Sequence, residues 1–169
     1  MNAIETERLS IRPFTKEDAG FILELLNEPS FIQNIGDRGV RTVSDAERYI
    51  ETGPVASYAR NGFGLCLVTL KESSKSIGMC GLIKRDALDD VDLGYAFLPR
   101  FWSKGYALEA ARAVQQYGYE VVGLKRIVGI VDPQNLSSIR VLEKLGMRFE
   151  QMIRMTPEDT ELKLFAVEI

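Results

Sequence analysis

At 169 residues, with 46% hydrophobic and 27% charged side chains, the chain reads as one folded domain over 1–169, not a disordered polypeptide. Lys and Arg number 21 against 24 Asp and Glu, and the net charge of −3 argues against nucleic acid as a partner. There is no histidine, which excludes His-based zinc sites, Ser/His and Cys/His nucleophile pairs, and imidazole as a general base. Cys66 and Cys80 lie in apolar runs outside any CxxC pair and read as small buried hydrophobes. No stretch reads as a signal peptide or reaches the ~20 apolar residues of a membrane span, so the expectation is a cytoplasmic protein with no membrane partner.

In chain order, Leu9–Phe14 alternates around Ile11 and reads as a strand stopped at Pro13. Thr15 and Asp18 form a capping-box start for a helix carrying Phe21, Ile22, Leu25 and Leu26, which Pro29 closes. Ser44 and Glu47 repeat the signal for a second helix with Tyr49 and Ile50 on its face, broken at Gly53-Pro54. The apolar runs Gly64–Leu70 and Ser76–Ile83 flank the polar turn Lys71–Lys75 and predict a central antiparallel hairpin. Val91–Leu98 is a further strand ended by Pro99. The spacing of Ala107, Ala110, Ala111, Val114, Tyr117 and Val121 predicts a long helix after it. Arg126–Val131 is the next strand, and Ser137–Leu145 is a helix ended by Gly146. Met147–Arg154 and Glu161–Ile169 finish the chain as strands joined by the turn Thr156–Asp159. This order implies an α/β (α+β) fold with a mixed sheet.

Two junctions carry chemistry. Pro99-Arg100-Phe101-Trp102-Ser103-Lys104-Gly105-Tyr106-Ala107 runs from a strand into the long helix. Free N–H groups at a helix start favour a phosphate or pyrophosphate, Gly105 permits close backbone approach, and Lys104 adds charge. A plain strand–helix turn with glycine at an unusual φ fits the same residues. Neither GxxxxGK[ST] nor GxGxxG is present. In the second junction, Asn135 stands at an N-cap and could also meet the polar arm of a ligand. Arg140 and Lys144 are either a solvated face or help for a phosphate.

Together these stretches resemble the acyl-CoA-binding motifs of the GNAT N-acetyltransferase superfamily. Trp102, Gly105 and Ala107 occupy its Gln/Arg-x-x-Gly-x-Gly/Ala loop. Leu93-Gly94-Tyr95 through Pro99 and Trp102 to Glu109-Ala110-Ala111-Arg112 resembles the RimJ/RimL-like branch of ribosomal-protein N-acetyltransferases. So does Asn135-x-x-Ser138-x-x-Val141-Leu142-Glu143-Lys144-Leu145-Gly146. The resemblance covers essentially the whole chain. It implies a mixed, mostly antiparallel seven-stranded sheet flanked by helices and splayed between its fourth and fifth strands, Val91–Leu98 and Arg126–Val131. Acetyl-CoA, as co-substrate, would lie in that gap with no metal. Backbone N–H groups of Ser103, Lys104, Gly105, Tyr106, Ala107 and Leu108 would hold its pyrophosphate. The edge Tyr95, Ala96, Phe97 would pair with the pantetheine, and Asn135 would contact the same arm. Homodimers are common in the family.

The implied reaction is acetyl transfer to a primary amine of a small molecule or a peptide, which needs a polarised thioester carbonyl and a base. The Phe97 N–H is a carbonyl donor by position. Asp92 matches the branch's acidic position before Ile/Leu-Gly-Tyr, and period-two alternation puts it on one face with Gly94 and Ala96. It also ends the run Asp86, Asp89, Asp90, Asp92, and so fits the polar mouth of a strand. Glu28 is a weaker candidate base. Leu142 stands where many members carry a tyrosine that protonates the thiolate, leaving Ser138 as the hydroxyl at that site. Phe31, Ile32, Ile35, Arg38 and Arg41 would shape the acceptor pocket, where exposed arginines favour an acidic or carboxylate-bearing acceptor; a solvated loop fits the same residues. A noncatalytic acyl-CoA-binding or sensing module, and a generic phosphate-ligand protein, fit the same loops.

Overall fold

The hairpin predicted from two-sided apolar runs forms the middle of the sheet, with β3 (Leu65–Leu70) antiparallel to β4 (Ser76–Ile83). Cys66 opposes Cys80 across this pair, and both are fully buried free thiols. The computed structural model describes all residues from Met1 to Ile169. Around the hairpin lie β1 (Ile4–Glu5), β2 (Leu9–Pro13), β5 (Val91–Phe97), β6 (Arg126–Val131), β7 (Arg148–Ile153) and β8 (Leu162–Glu168). The sheet runs β1-β2-β3-β4-β5-β6-β8-β7 and is antiparallel except between β5 and β6. The expected seven strands are therefore eight. The addition is the two-residue β1 on β2, too short to show any alternation in the sequence.

Helices cover both faces, as two-sided apolar strands require. One layer holds α1 (Ala19–Leu26), α2 (Pro29–Asn34), α3 (Val43–Ile50) and α4 (Ala56–Asn61). Ile22, Leu25, Leu26, Ala46 and Ile50 pack there on Leu67, Met79 and Leu98. On the other face, α5 (Tyr106–Tyr117) and α6 (Leu136–Lys144) bury Ala110, Ala111, Val114, Ile139 and Leu142 against Cys80, Leu93, Phe97 and Ile127. α6 is followed by Gly146 at φ +85, the left-handed stop expected there.

Three local expectations are corrected. Pro29 does not close the first helix: α1 ends at Leu26, and Pro29 opens α2 at N1, where its missing N–H costs nothing. α3 is capped two residues earlier than expected. Thr42 Oγ1 accepts the Asp45 N–H at 3.0 Å, and the Asp45 carboxylate accepts the Arg41 and Thr42 N–H groups. Val121 is 67% exposed instead of continuing the buried stripe of α5. After Tyr117 the chain enters a π-helical turn at Gly118–Val122, whose wider winding puts later residues out of phase with the α-helical spacing. A second π-helical turn, Glu51–Val55, contains the Gly53-Pro54 break.

Candidate functional site

The parallel partners β5 and β6 pair only at Val91↔Ile127 and Asp92↔Val128, and then separate. The splay expected between Val91–Leu98 and Arg126–Val131 is this opening. Leu98 N–H bonds Ile77 C=O at 3.0 Å, so with the β4 register Ala96, Gly94 and Asp92 direct their backbone groups to β4. Tyr95 and Phe97 present theirs to the opening. The Phe97 C=O is taken by Trp102 Nε1–H at 2.9 Å, which leaves the Phe97 N–H free beside it. Ala96 thus contributes its side chain, not its backbone, to the cleft.

The opening continues into a cleft of about 1000 Å³. Of the residues named from the sequence for the cofactor, the base and the acceptor pocket, all border it except Lys104, Glu28 and Arg41. The Lys104 side chain is exposed, and its C=O accepts a bond from Arg8 Nη1 at 2.9 Å. Arg140 and Lys144 border the cleft with no acidic partner. Glu28 does not border it; the Glu28 C=O caps α2 by accepting the Ile32 N–H.

At the strand–helix junction, Ser103 (φ +60) and Gly105 (φ +81) both adopt the left-handed conformation. This is uncommon for serine, and alternation of hand turns successive N–H groups toward one side, a concavity that binds anions. None of the six N–H groups from Ser103 to Leu108 bonds to the protein; the first intrahelical bond is Glu109 N–H to Gly105 C=O. The loop is braced from behind by Arg8, whose guanidinium stacks 4.4 Å from the Tyr106 ring centroid and pairs with Glu109 at 2.6 Å.

Asn135 caps α6, its Oδ1 accepting the Ser138 N–H at 3.2 Å, so its amide NH₂ is left for a ligand. Asn135→Ala should therefore lower stability by about 1 kcal/mol, as a lost cap does. It should also weaken CoA binding beyond that. A fall in melting temperature with unchanged calorimetric affinity would leave Asn135 a cap only.

Ser138 Oγ lies 2.7 Å from the Tyr95 hydroxyl, which also bonds the Ser138 C=O at 3.2 Å. This link joins the two lips of the cleft and has no local sequence signal. Burial pushes the Tyr95 pKa up, so the phenol stays protonated and available as a donor. Leu142, in the family's tyrosine place, is 1% exposed, packs on Gly129 and borders the cleft with an aliphatic side chain that has no proton to give.

Asp92 is also 1% exposed, so it is not the polar mouth of a strand. Its Oδ2 accepts from Arg85 Nε at 2.8 Å, and its Oδ1 has no hydrogen-bond partner. Burial raises its pKa, with the Arg85 charge and hydrogen bond and the Ile130 backbone pulling the other way. A buried, half-satisfied carboxylate bordering a cleft is costly to hold, and such groups cluster at functional sites as well as in structural ion pairs. Arg85 was not singled out from the sequence. The hairpin register Ile83↔Asp92 could have suggested it, because it puts residues just past Ile83 near Asp92.

The family model of the acetyltransferase (GNAT) domain matches residues 8–148. The chain belongs to this family. Among GNAT relatives, the uncharacterized N-acetyltransferase YnaD of Bacillus subtilis is 31% identical over 147 residues, 87% of this chain and 83% of its own. A GNAT-family acetyltransferase from Bacillus anthracis superposes with a TM-score of 0.81 at 28% identity, over 99% of this chain and 98% of its own. A RimL ribosomal α-N-protein acetyltransferase solved with coenzyme A reaches a TM-score of 0.85 over 99% and 98%, at 13% identity, a likeness of fold. This GNAT chain is an acyltransferase, and none of its helices is long and apolar enough to cross a membrane.

Proposed function

We propose that this GNAT acyltransferase takes acetyl-CoA as co-substrate and acetylates a primary amine of a small molecule or peptide by direct attack on the thioester. The observation that carries this reading is the continuous track from the anion-binding loop along the open β5 edge to Asp92. Unbonded N–H groups at Ser103 to Leu108 suit a pyrophosphate, and Arg140 and Lys144 suit further phosphate charge. The free backbone groups of Tyr95 with the Phe97 N–H suit an extended amide chain laid as a strand. The RimJ/RimL-like motifs around Tyr95 and Asn135 support the same ligand.

Acetyl-CoA supplies the acetyl group as a thioester; the chain's own groups manage protons and charge. Asp92 Oδ1 takes the proton of the attacking amine, directly or through water, as the N–C bond forms. The Phe97 N–H is the donor for the carbonyl oxygen as it gains charge. The Ser138 hydroxyl, held by the Tyr95 O–H, donates a hydrogen bond toward the departing sulfur as the C–S bond breaks; water protonates the thiolate, and Asp92 gives its proton up to water. Titration with CoA in competition with 3′-phosphoadenosine 5′-diphosphate, which keeps the pyrophosphate and lacks only the pantetheine, tests the ligand. CoA should bind at least ~10-fold more tightly, since the edge contacts amount to more than one net hydrogen bond. Equal affinity would assign the cleft to a generic phosphate ligand.

A further inference from the structure

Beyond Asp92 the cleft continues into the α1–α3 layer. Phe31, Ile32 and Ile35 from α2 and its following turn form one wall, and Leu65 and Met79 of the sheet border the same space. Ile32 and Ile35 are 37% and 42% exposed, large aliphatic side chains left uncovered at the cleft. This half holds two arginines. Arg85 is neutralised by Asp92. Arg38 has no acidic partner and no hydrogen bond to the protein, although Arg41 in the same loop is held by Asp37 and Asn27.

Tyr49 of α3 borders the same space, half-buried, with no hydrogen bond from its hydroxyl to the protein, and near enough to Arg38 and Arg85 to feel their charges. No acid of the region pairs with Arg38. Asp92 is held by Arg85 and Asp37 by Arg41, while the Asp132 and Asp159 carboxylates accept the Gln134 and Thr156 N–H groups of their own turns. The Arg38 guanidinium and the Tyr49 O–H thus border one cleft, and neither has a protein acceptor. Arg38 is exposed, its charge is uncompensated by any protein group, and a carboxylate on the ligand would answer it.

We propose that the acceptor amine carries a carboxylate close to the nitrogen and that Arg38, with Tyr49, reads it. The inference rests on the amine-acetylation reading above. One uncompensated guanidinium matches a planar monoanion, which it can grip with two parallel hydrogen bonds. A dianionic phosphate would need a second free cation, and the charge of Arg85 is already spent on Asp92. A polyamine would put its second ammonium against Arg38 and be repelled. The aliphatic walls favour an apolar side chain on the same molecule. Anchoring the carboxylate leaves the amine little freedom other than to face the catalytic carboxylate.

The test compares kcat/KM for leucine, its decarboxylated counterpart isoamylamine, leucinamide and spermidine, at fixed acetyl-CoA. Two dipeptide amides, Leu-Glu and Leu-Gln, separate a free amino acid from an acidic peptide N-terminus as the source of the carboxylate. Leucine over isoamylamine and leucinamide, or Leu-Glu over Leu-Gln, should show a preference of roughly 10- to 100-fold, the worth of a charge-assisted hydrogen bond. Arg38→Gln should collapse that ratio toward one, and Arg38→Lys should restore part of it. Equal turnover of acidic and neutral amines by the wild type overturns the inference and leaves amine acetylation standing. A preference that survives Arg38→Gln overturns Arg38 as its reader. No turnover with any amine overturns both.

Discussion

Asp92→Asn should lower the rate of amine acetylation by roughly 10²–10⁴-fold, the usual contribution of a positioned general base. The substitution keeps an oxygen for the Arg85 Nε–H but removes both the charge paired with Arg85 and the ability to take a proton. CoA affinity should stay close to wild type, because Asp92 lies at the splay point, away from the loop Ser103–Leu108. The pH dependence has a definite sign. The base works ionised, so activity is lost as pH falls through the Asp92 pKa. Burial, opposed by Arg85, places that acid limb above the 3.8 of an ordinary aspartate. The limb should vanish in the variant. Near-full turnover by a folded Asp92→Asn protein, checked by circular dichroism, would remove Asp92 from the reaction.

Gly105→Glu should reduce CoA affinity by at least ~100-fold with the fold retained. Gly105 sits at φ +81, where an L-residue costs about 1–2 kcal/mol. A Cβ there would lie 3.3 Å from Arg8 Nη2, so the new carboxylate meets the brace that holds the Lys104 C=O. The exposed loop relaxes in the free protein, and CoA binding must then restore the strained form against an added negative charge. Gly105→Ala isolates the backbone part, and 1–2 kcal/mol at 1.4 kcal/mol per decade is about five- to thirty-fold. Calorimetric affinity within a few-fold of wild type for Gly105→Glu would contradict the anion-loop assignment.

The sheet was legible where strands are apolar on both faces, as in Leu65–Leu70 and Ser76–Ile83, because only central strands tolerate such runs. Thr15–Asp18, Asn135 and Gly146 marked helix ends by chemistry local to each turn, and each end lies there. The π-helical turns were not legible, since their extra residue per turn leaves no residue-type signature and so misplaced Val121. The capping of α3 was misread because Thr42–Asp45 and Ser44–Glu47 both fit the box. The Thr42 box is the one formed, with the Asp45 carboxylate also taking the Arg41 N–H. The candidate site follows the same division. The loop around Gly105, Asn135 and Asp92 could be named from motifs in single segments. The Tyr95–Ser138 link spans 43 residues, Arg8–Glu109 spans 101, and Arg38 and Tyr49 come to one cleft only in the folded layer. Such pairs exist only in the folded chain.

The reaction itself is measured most directly by thiol release from acetyl-CoA as a function of amine concentration, with the product's mass followed in parallel. The account predicts saturable release that depends on the amine, matched one-for-one by an acetylated amine, and nearly abolished in Asp92→Asn. Tight CoA binding with no amine-dependent release across small amines and peptides would contradict it and leave a noncatalytic acyl-CoA-binding module.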